Sequence, residues 1–174
     1  MSSKFLFLAL LLTSNPAFAD DFDANKVDEG GRYLHAALGF GAGGIALGAD
    51  FETGLESSVG WGGLFRYYSP MNTLTNSAPR IFFLGGFIRP HWNRNKWDFY
   101  FSPGIGFSMV KLSTATISDS ETLLTPILSI GTSWAFSNTM SIGIESTTIF
   151  GITSDDWRGP INQDIMAKLK LSLN

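Results

Sequence analysis

Apolar and polar residues alternate along most of this chain, most clearly over residues 97–110. One face of this segment carries large apolar side chains, namely Trp97, Phe99, Phe101, Pro103, Ile105, Phe107 and Met109. The other face carries mostly small or polar residues, namely Asp98, Tyr100, Ser102, Gly104, Gly106, Ser108 and Val110. A period of two residues indicates a β-strand rather than a helix. A bulky apolar face opposite a small polar face is typical of a strand with lipid on one side and a narrow barrel lumen on the other.

Similar segments recur from residue 32 onward, and we predict eight strands. They lie near residues 33–41, 45–53, 58–68, 80–90, 97–110, 123–136, 140–152 and 165–173. Short turns are predicted at 54–57, 91–96 and 137–139, a very short connection at 42–44, and longer polar loops at 69–79, 112–122 and 153–163. Short turns on one side and longer loops on the other are the rule for outer-membrane barrels. The predicted fold class is therefore all-β: an eight-stranded antiparallel transmembrane up-and-down β-barrel with both termini in the periplasm.

The chain before residue 32 has a different character. Residues 1–19 have the features of a secretory signal peptide, with Lys4, an apolar core at 5–12 and the sequence Ala17-Phe18-Ala19. We expect cleavage after Ala19. Residues 20–31 are predicted to be an acidic periplasmic tail, and residues 32–174 the outer-membrane barrel.

The start of that tail resembles a calcium-binding loop only in part. Asp21, Asp23 and Asn25 have the spacing of the first three ligand positions. Lys26 stands where the loop requires glycine, and Arg32 where it requires its closing glutamate. We therefore expect no metal site there.

Composition supports a membrane location without a membrane helix. Hydrophobic residues make up 44% of the chain and charged residues 16%, against roughly 25% charged residues in soluble proteins. No run after the N-terminus reaches the roughly 20 apolar residues of a transmembrane helix. The chain contains no cysteine, and its net charge of -3 argues against a nucleic-acid partner.

The fourth segment is apolar on both faces, so alternation alone leaves its orientation open. We orient it with Phe82, Leu84 and Ile88 outward because this phase directs Arg89 into the lumen.

Several charged residues share the lumenal phase. They are predicted to form an ion-pair network of Asp50, Arg89, Asp98, Glu145, Lys168 and Lys170, with Glu52 and Arg66 also facing inward. If Pro90 pairs with Trp97, Arg89 lies opposite Asp98; Glu145 is expected to meet Lys168 or Lys170. The alternative is a small ion pore. We favour the network because opposite charges occur close together and an eight-stranded bore is narrow.

The outer half of the lumen is predicted to be apolar. It would contain Leu64, Phe83, Val110, Ile127, Ile149 and Met166. These residues could line a shallow hydrophobic pocket open to the outside, or interlock and fill the bore, which small barrels usually require. We favour the filled bore, although many lumenal glycines leave room for a ligand.

Aromatic side chains are expected near the periplasmic ends of the strands, as a belt at the membrane interface or as ordinary packing. They are Trp61, Trp92, Trp97, Trp134 and Phe136. The only histidines, His35 and His91, fall at the periplasmic side rather than the outer rim. Without a base beside a nucleophile there, we expect neither an enzyme nor a cofactor.

By strand number, alternation, turn pattern and signal peptide, residues 32–174 resemble the small eight-stranded outer-membrane barrels of the OmpA, OmpX and OmpW-like group. The chain departs from this group at its end, because Leu173-Asn174 replaces the usual terminal aromatic residue. The resemblance implies an integral outer-membrane protein, a monomer in contact with membrane lipid and lipopolysaccharide. It implies a structural or surface-binding role, with binding or passage of small hydrophobic molecules, as for OmpW-like barrels, as the alternative.

Overall fold

A computed structural model of the protein describes residues 27–41, 44–70, 79–113, 118–152 and 157–173. The signal peptide and residues 20–26 of the tail lie outside these ranges and remain predictions. Eight strands are present, and they are β1 Arg32–Gly41, β2 Gly44–Glu56, β3 Val59–Pro70, β4 Arg80–Arg94, β5 Trp97–Ser113, β6 Ser118–Ala135, β7 Met140–Ile152 and β8 Trp157–Ser172.

The strands pair antiparallel in chain order and close into a barrel through β1 and β8, where Tyr33 lies opposite Ser172. Closure gives each of the eight described strands a neighbour on both sides, so none of them is an edge strand. The predicted fold class is confirmed. Within the described ranges, no helix is long and apolar enough to cross a membrane.

The two ends of the barrel carry different connections. The terminal end holds the start of β1, the end of β8 and the turns at residues 57–58, 95–96 and 136–139. The loop end is the opposite one, where β1 joins β2, β3 joins β4, β5 joins β6 and β7 joins β8.

Alternation along each strand separates two chemically different faces. Large apolar side chains point outward, and Leu84, Phe107 and Ile130 are each about 60% exposed (59%, 63% and 60%). The predicted orientation of β4 is confirmed, because Phe82, Leu84 and Ile88 are exposed while Arg89 is fully buried. The barrel therefore has an apolar exterior and a polar interior, the reverse of a soluble protein.

Several predicted turns and loops were wrong in position. The predicted loop at 112–122 is mostly strand, because β5 continues to Ser113 and β6 begins at Ser118. The predicted loop at 153–163 is shortened by β8, which begins at Trp157. In both places the strand extends beyond the segment in which apolar and polar residues alternate. Backbone pairing does not require an apolar face, so alternation underestimates the strand length.

Two turns at the terminal end are also displaced from their predicted positions. The turn predicted at 54–57 lies at 57–58, and the one predicted at 91–96 is a two-residue turn at 95–96. Ser58 and Asn95 have φ angles of 68° and 54°, the left-handed conformation that such tight turns require.

The described part of the tail, residues 27–31, packs against the barrel at the terminal end. Gly30 N donates to Gly54 O at 3.0 Å, and Ser58 N donates to Val27 O at 3.0 Å. The Val27 side chain is fully buried. This short segment therefore covers the end of β2 and the turn that follows it.

Candidate functional site in the barrel lumen

The lumen contains a set of buried, mutually paired charges that we call the charged network. Its members are Asp50, Glu52, Arg66, Arg89, Glu145 and Lys168. They come from β2, β3, β4, β7 and β8, and each occupies an inward position of its strand. The alternation that turns apolar residues to the outside thus brings these charges together inside.

Arg89 links two carboxylates of β2. Its Nη1 donates to Glu52 Oε2 at 2.8 Å, and its Nη2 donates to Asp50 Oδ2 at 3.0 Å. Its remaining donor, Nε, reaches Ser102 Oγ at 2.6 Å on the neighbouring strand β5. All three nitrogens of the guanidinium are therefore engaged, which is what a fully buried arginine requires.

Arg66 on β3 and Lys168 on β8 are the other two cations of the network. Arg66 binds Asp50 and donates to Glu145 Oε1 at 2.6 Å. Lys168 Nζ donates to Asp50 Oδ2 at 2.5 Å and to Glu145 Oε2 at 2.6 Å. Of the two lysines expected near Glu145, Lys168 makes this contact. Three cations thus face three carboxylates, and the formal charge of the network is zero.

Tyr100 lies at the centre of these charges. Its hydroxyl donates to Glu145 Oε2 at 3.0 Å. Its ring lies 4.8 Å from Arg89 Cζ and 5.1 Å from Lys168 Nζ, distances at which the negative face of a ring attracts a cation. Tyr100 therefore supplies both a hydrogen-bond donor and an apolar ring that packs between the charges.

Asp98 lies outside the network, and its predicted pairing across the β4–β5 turn was wrong in register. Trp97 pairs with Arg94 rather than with Pro90, so Asp98 lies opposite Asn93. Asp98 Oδ2 is 2.9 Å from His91 Nδ1, while Arg89 binds the carboxylates of β2. The shorter turn moves the register by four residues and brings Ser102 beside Arg89.

His91 is a lumenal residue that was not predicted from the sequence. We expected it in a turn, but it lies within β4 and is buried. Its Nε2 is 2.7 Å from Glu52 Oε1, so the ring bridges Glu52 and Asp98. The other histidine, His35, is also buried, with Nε2 3.0 Å from Glu52 Oε2. Extending the β4 alternation past Pro90 would have identified His91.

Lys170, the last of the predicted network residues, is buried in the terminal half of the lumen and is 3% exposed. Its Nζ lies 4.5 Å from the centre of the Tyr33 ring. Within the described part of the chain, this Nζ has no hydrogen-bond partner. The structure therefore separates Lys170 from the charged network.

The apolar layer is the cluster adjacent to the network on the loop side. It includes Leu64, Phe83, Ile127, Ile149 and Met166, with Val110 packed against the cluster, so all six predicted residues lie together. Phe83, Ile149 and Met166 are fully buried. Burial against one another supports a filled bore, and the pocket stays a prediction.

A second polar group, which the sequence reasoning also missed, lies further toward the loop end. The Tyr68 hydroxyl donates to Asp164 Oδ2 at 2.6 Å, and Thr147 N donates to Asp164 Oδ1 at 2.8 Å. Tyr68 is on β3 and Asp164 on β8, so this contact spans the lumen. The lumen thus alternates from charged to apolar to polar along its axis.

The five aromatic residues predicted near the periplasmic strand ends all lie on the exterior, at the terminal end. Trp92 stacks on Phe101 with ring centres 5.7 Å apart, and Trp134 lies 6.5 Å from Phe136. All five side chains are exposed. An exposed aromatic ring at one end of an apolar exterior matches the belt expected at a membrane interface.

Comparison with solved structures identifies barrels of the same architecture. The N-terminal β-barrel domain of Pseudomonas aeruginosa OprF matches with a TM-score of 0.68 and 9% identity, over 83% of this chain and 98% of that chain. Neisserial surface protein A (NspA) matches with a TM-score of 0.64 and 7% identity, over 82% of this chain and 96% of that one. Ail, the attachment invasion locus protein of Yersinia pestis, matches with a TM-score of 0.52 and 12% identity, over 83% and 99%.

No protein-family model and no curated protein sequence matches the chain. The structural likeness therefore rests on the arrangement of strands and not on shared residues. With its closed eight-stranded sheet, apolar exterior and charged lumen, the chain has the fold of the small eight-stranded outer-membrane β-barrels.

Proposed function

We propose that this protein is an integral outer-membrane barrel with a structural or surface-binding role, and that it acts as a monomer. One observation carries the proposal, namely that the charges are buried inside and the large apolar side chains are exposed outside. In water this arrangement would expose a continuous apolar surface, but in a bilayer both faces are satisfied. Membrane lipid and lipopolysaccharide are the partners that such an exterior would contact.

The β5–β6 hairpin supports a surface-binding role. Its strands have 17 and 18 residues, whereas a strand needs only about 9–11 residues to cross a membrane. The excess lies at the loop end, where Lys111, Glu121 and Thr122 are exposed. With the loop end outside the cell, this polar ribbon would project from the membrane and present a binding surface. Ail, one of the structural neighbours, has been solved with the heparin analogue sucrose octasulfate.

The proposed orientation, with the loop end outside the cell, can be tested by cysteine labelling because the native chain contains no cysteine. We expect Thr122→Cys at the loop end to react with a membrane-impermeant maleimide on intact cells. Asn138→Cys, in a turn at the terminal end, should react only after the outer membrane is permeabilised. Both positions are exposed. Labelling of residue 138 but not 122 on intact cells would reject the proposed orientation, and recovery of both variants in the soluble fraction would reject the membrane location.

The proposed orientation includes a signal peptide cleaved after Ala19 and both termini in the periplasm. The A-x-A sequence and the position of both barrel termini at one end support it. N-terminal sequencing of the protein recovered from membranes should begin at Asp20. A start at Met1 would contradict the predicted cleavage.

Binding or passage of small hydrophobic molecules is the second candidate. The contiguous apolar layer favours it, whereas the burial of that layer and the closed charged network favour a structural barrel. Purified protein in planar bilayers distinguishes the two. Discrete conductance steps would support passage, and electrical silence would support the structural or surface-binding role.

We also infer a non-catalytic role. His35 and His91 both contact Glu52 inside the lumen and are buried. Both rings lie against a buried carboxylate and are remote from lipid at the outer rim. Activity assays on lipid and ester substrates should give no turnover above that of a His91→Gln variant.

A further inference from the structure

A group of buried donors lies at the terminal end of the lumen, beside the charged network. Lys170 is on β8, and the two residues directly opposite it in the sheet are Ser141 on β7 and His35 on β1. Directly opposed residues have Cβ atoms about 4.5–5.5 Å apart. All three side chains point inward and are buried.

These side chains have unused hydrogen-bonding capacity. Lys170 Nζ and Ser141 Oγ have no hydrogen-bond partner within the described residues. His35 Nε2 is close to Glu52 but is not aligned to form a hydrogen bond with it. A buried ammonium without a partner is costly, and an ammonium can donate three hydrogen bonds. Among the described residues, Lys170 Nζ and Ser141 Oγ therefore have no protein acceptor.

The carboxylates nearest to this group are already engaged. Glu52 accepts from Arg89 at 2.8 Å and lies 2.7 Å from His91, and Asp98 lies 2.9 Å from the other nitrogen of His91. The charged network is neutral without Lys170. Outside the network, Lys170 and Asp98 carry opposite charges, but Asp98 contacts His91 and is not a hydrogen-bond partner of Lys170 Nζ. The Lys170 ammonium is therefore the donor that a further acceptor would satisfy.

The surroundings also restrict the size of such an acceptor. The Tyr33 ring covers the ammonium from one side at 4.5 Å, and Tyr33 is itself buried. Residues 27–31 pack at this end of the barrel, and Asp28 N donates to the Tyr33 hydroxyl at 3.2 Å. An occupant must fit among buried side chains, which favours a single small ion over a larger organic acid.

We propose that Lys170 and Ser141, with His35 beside them, form a binding site for a small monovalent anion of the halide class. The ion enters from the terminal end and accepts hydrogen bonds from the Lys170 ammonium and the Ser141 hydroxyl. A halide accepts from several donors at once and needs no directional geometry. The site is independent of the proposed surface-binding role, because it lies at the opposite end of the barrel.

Bromide locates the site directly. Crystals of the detergent-purified protein grown in sodium bromide should show an anomalous scattering peak in contact with Lys170 Nζ and Ser141 Oγ. A peak elsewhere in the lumen, or none, overturns the proposal. Density at this point that appears equally without bromide and carries no anomalous signal identifies a bound water and also overturns it.

Chloride binding in solution provides the second test. Excess broadening of the chloride-35 NMR line by the wild-type protein should fall when Lys170→Gln is used, with affinity lowered at least about tenfold. Lys111→Gln removes the same charge from an exposed position and serves as the matched control. Equal broadening by the Lys170→Gln and wild-type proteins rejects the site.

A further variant keeps the proposal testable if Lys170→Gln fails to fold. Ser141→Ala removes one neutral donor without changing the charge, and its affinity for chloride should fall roughly two- to tenfold. Heat-modifiable migration on a gel verifies that each variant has formed a barrel. A folded Ser141→Ala protein with unaltered chloride affinity and an unmoved bromide peak would exclude Ser141 from the site.

Discussion

In the charged network every side chain forms an ion pair with a specific residue on another strand. In the apolar layer the side chains make only non-directional packing contacts. Arg89 on β4 binds carboxylates of β2, and Lys168 on β8 binds carboxylates of β2 and β7. Phe83 and Met166 pack in a cluster without directional contacts. The two regions occupy adjacent levels of one lumen, and they constrain the barrel differently.

The two regions differ in how strongly the removal of one side-chain group destabilises them. A buried charge that loses its partner remains desolvated, so the penalty is large. An apolar side chain that loses one methylene leaves a small cavity, which its neighbours partly fill. The network therefore fixes which strands lie across from one another, and the apolar layer requires only that the volume be filled.

The largest effect should come from breaking the network at its most connected cation. Arg89→Met leaves Glu52 and Asp50 short of a partner, and we expect the free energy of unfolding to fall by about 3–5 kcal/mol. Urea unfolding in lipid vesicles, followed by tryptophan fluorescence, measures it. Arg80→Met removes an exposed arginine from the same strand and should change stability by less than about 0.5 kcal/mol. Similar losses in the two variants would contradict the network.

Neutralising one carboxylate should have a smaller effect, because its shape is retained. Glu145→Gln weakens charge-assisted bonds to Arg66 and Lys168, and we expect a loss of about 1.5–3 kcal/mol with a lower temperature of heat-modifiability. Glu56→Gln, an exposed position at the end of β2, is the control. If heat-modifiability is unchanged in Glu145→Gln, Glu145 does not stabilise the lumen.

The smallest effect tests the apolar layer. Ile149→Val should cost about 0.5–1.5 kcal/mol, because Ile149 is fully buried. Ile144→Val makes the same change on the same strand at a side chain that is 59% exposed, and in vesicles it should have almost no effect. The comparison would be reversed if Ile144→Val were the more destabilising, which would mean that the exterior packs against a partner.

The faces of the strands could be predicted from the sequence, because a period of two is a local property. The orientation of β4 followed from Arg89 alone, since a charge cannot face lipid without a large cost. The partners of Arg89 could not be predicted, because Asp50 and Glu52 lie on a strand that is not adjacent in the sheet. Their approach depends on the tilt and stagger of the whole barrel, which no local pattern contains.

The predicted register of the β4–β5 hairpin was wrong for a different reason. Residues 91–96 are mostly polar and follow a proline, which is typical of a turn. In the structure Pro90 lies within β4, and pairing continues to Arg94. The hidden signal was the inward phase of His91, which continues that of Arg89. The clustering of the apolar layer could be predicted because its residues face the lumen and lie at similar heights along the barrel axis.

The pairing of β1 with β8 has a kinetic consequence. Tyr33 and Ser172 lie near opposite ends of the described chain, so this contact has the highest loop-closure cost, and proteins dominated by such contacts fold slowly. Until β8 arrives, Asp50 and Glu145 also lack Lys168. An open intermediate would therefore hold three carboxylates against two arginines, which leaves one negative charge unbalanced next to hydrocarbon. Closure should thus accompany entry into the bilayer as one concerted step, with few partly inserted species along the way.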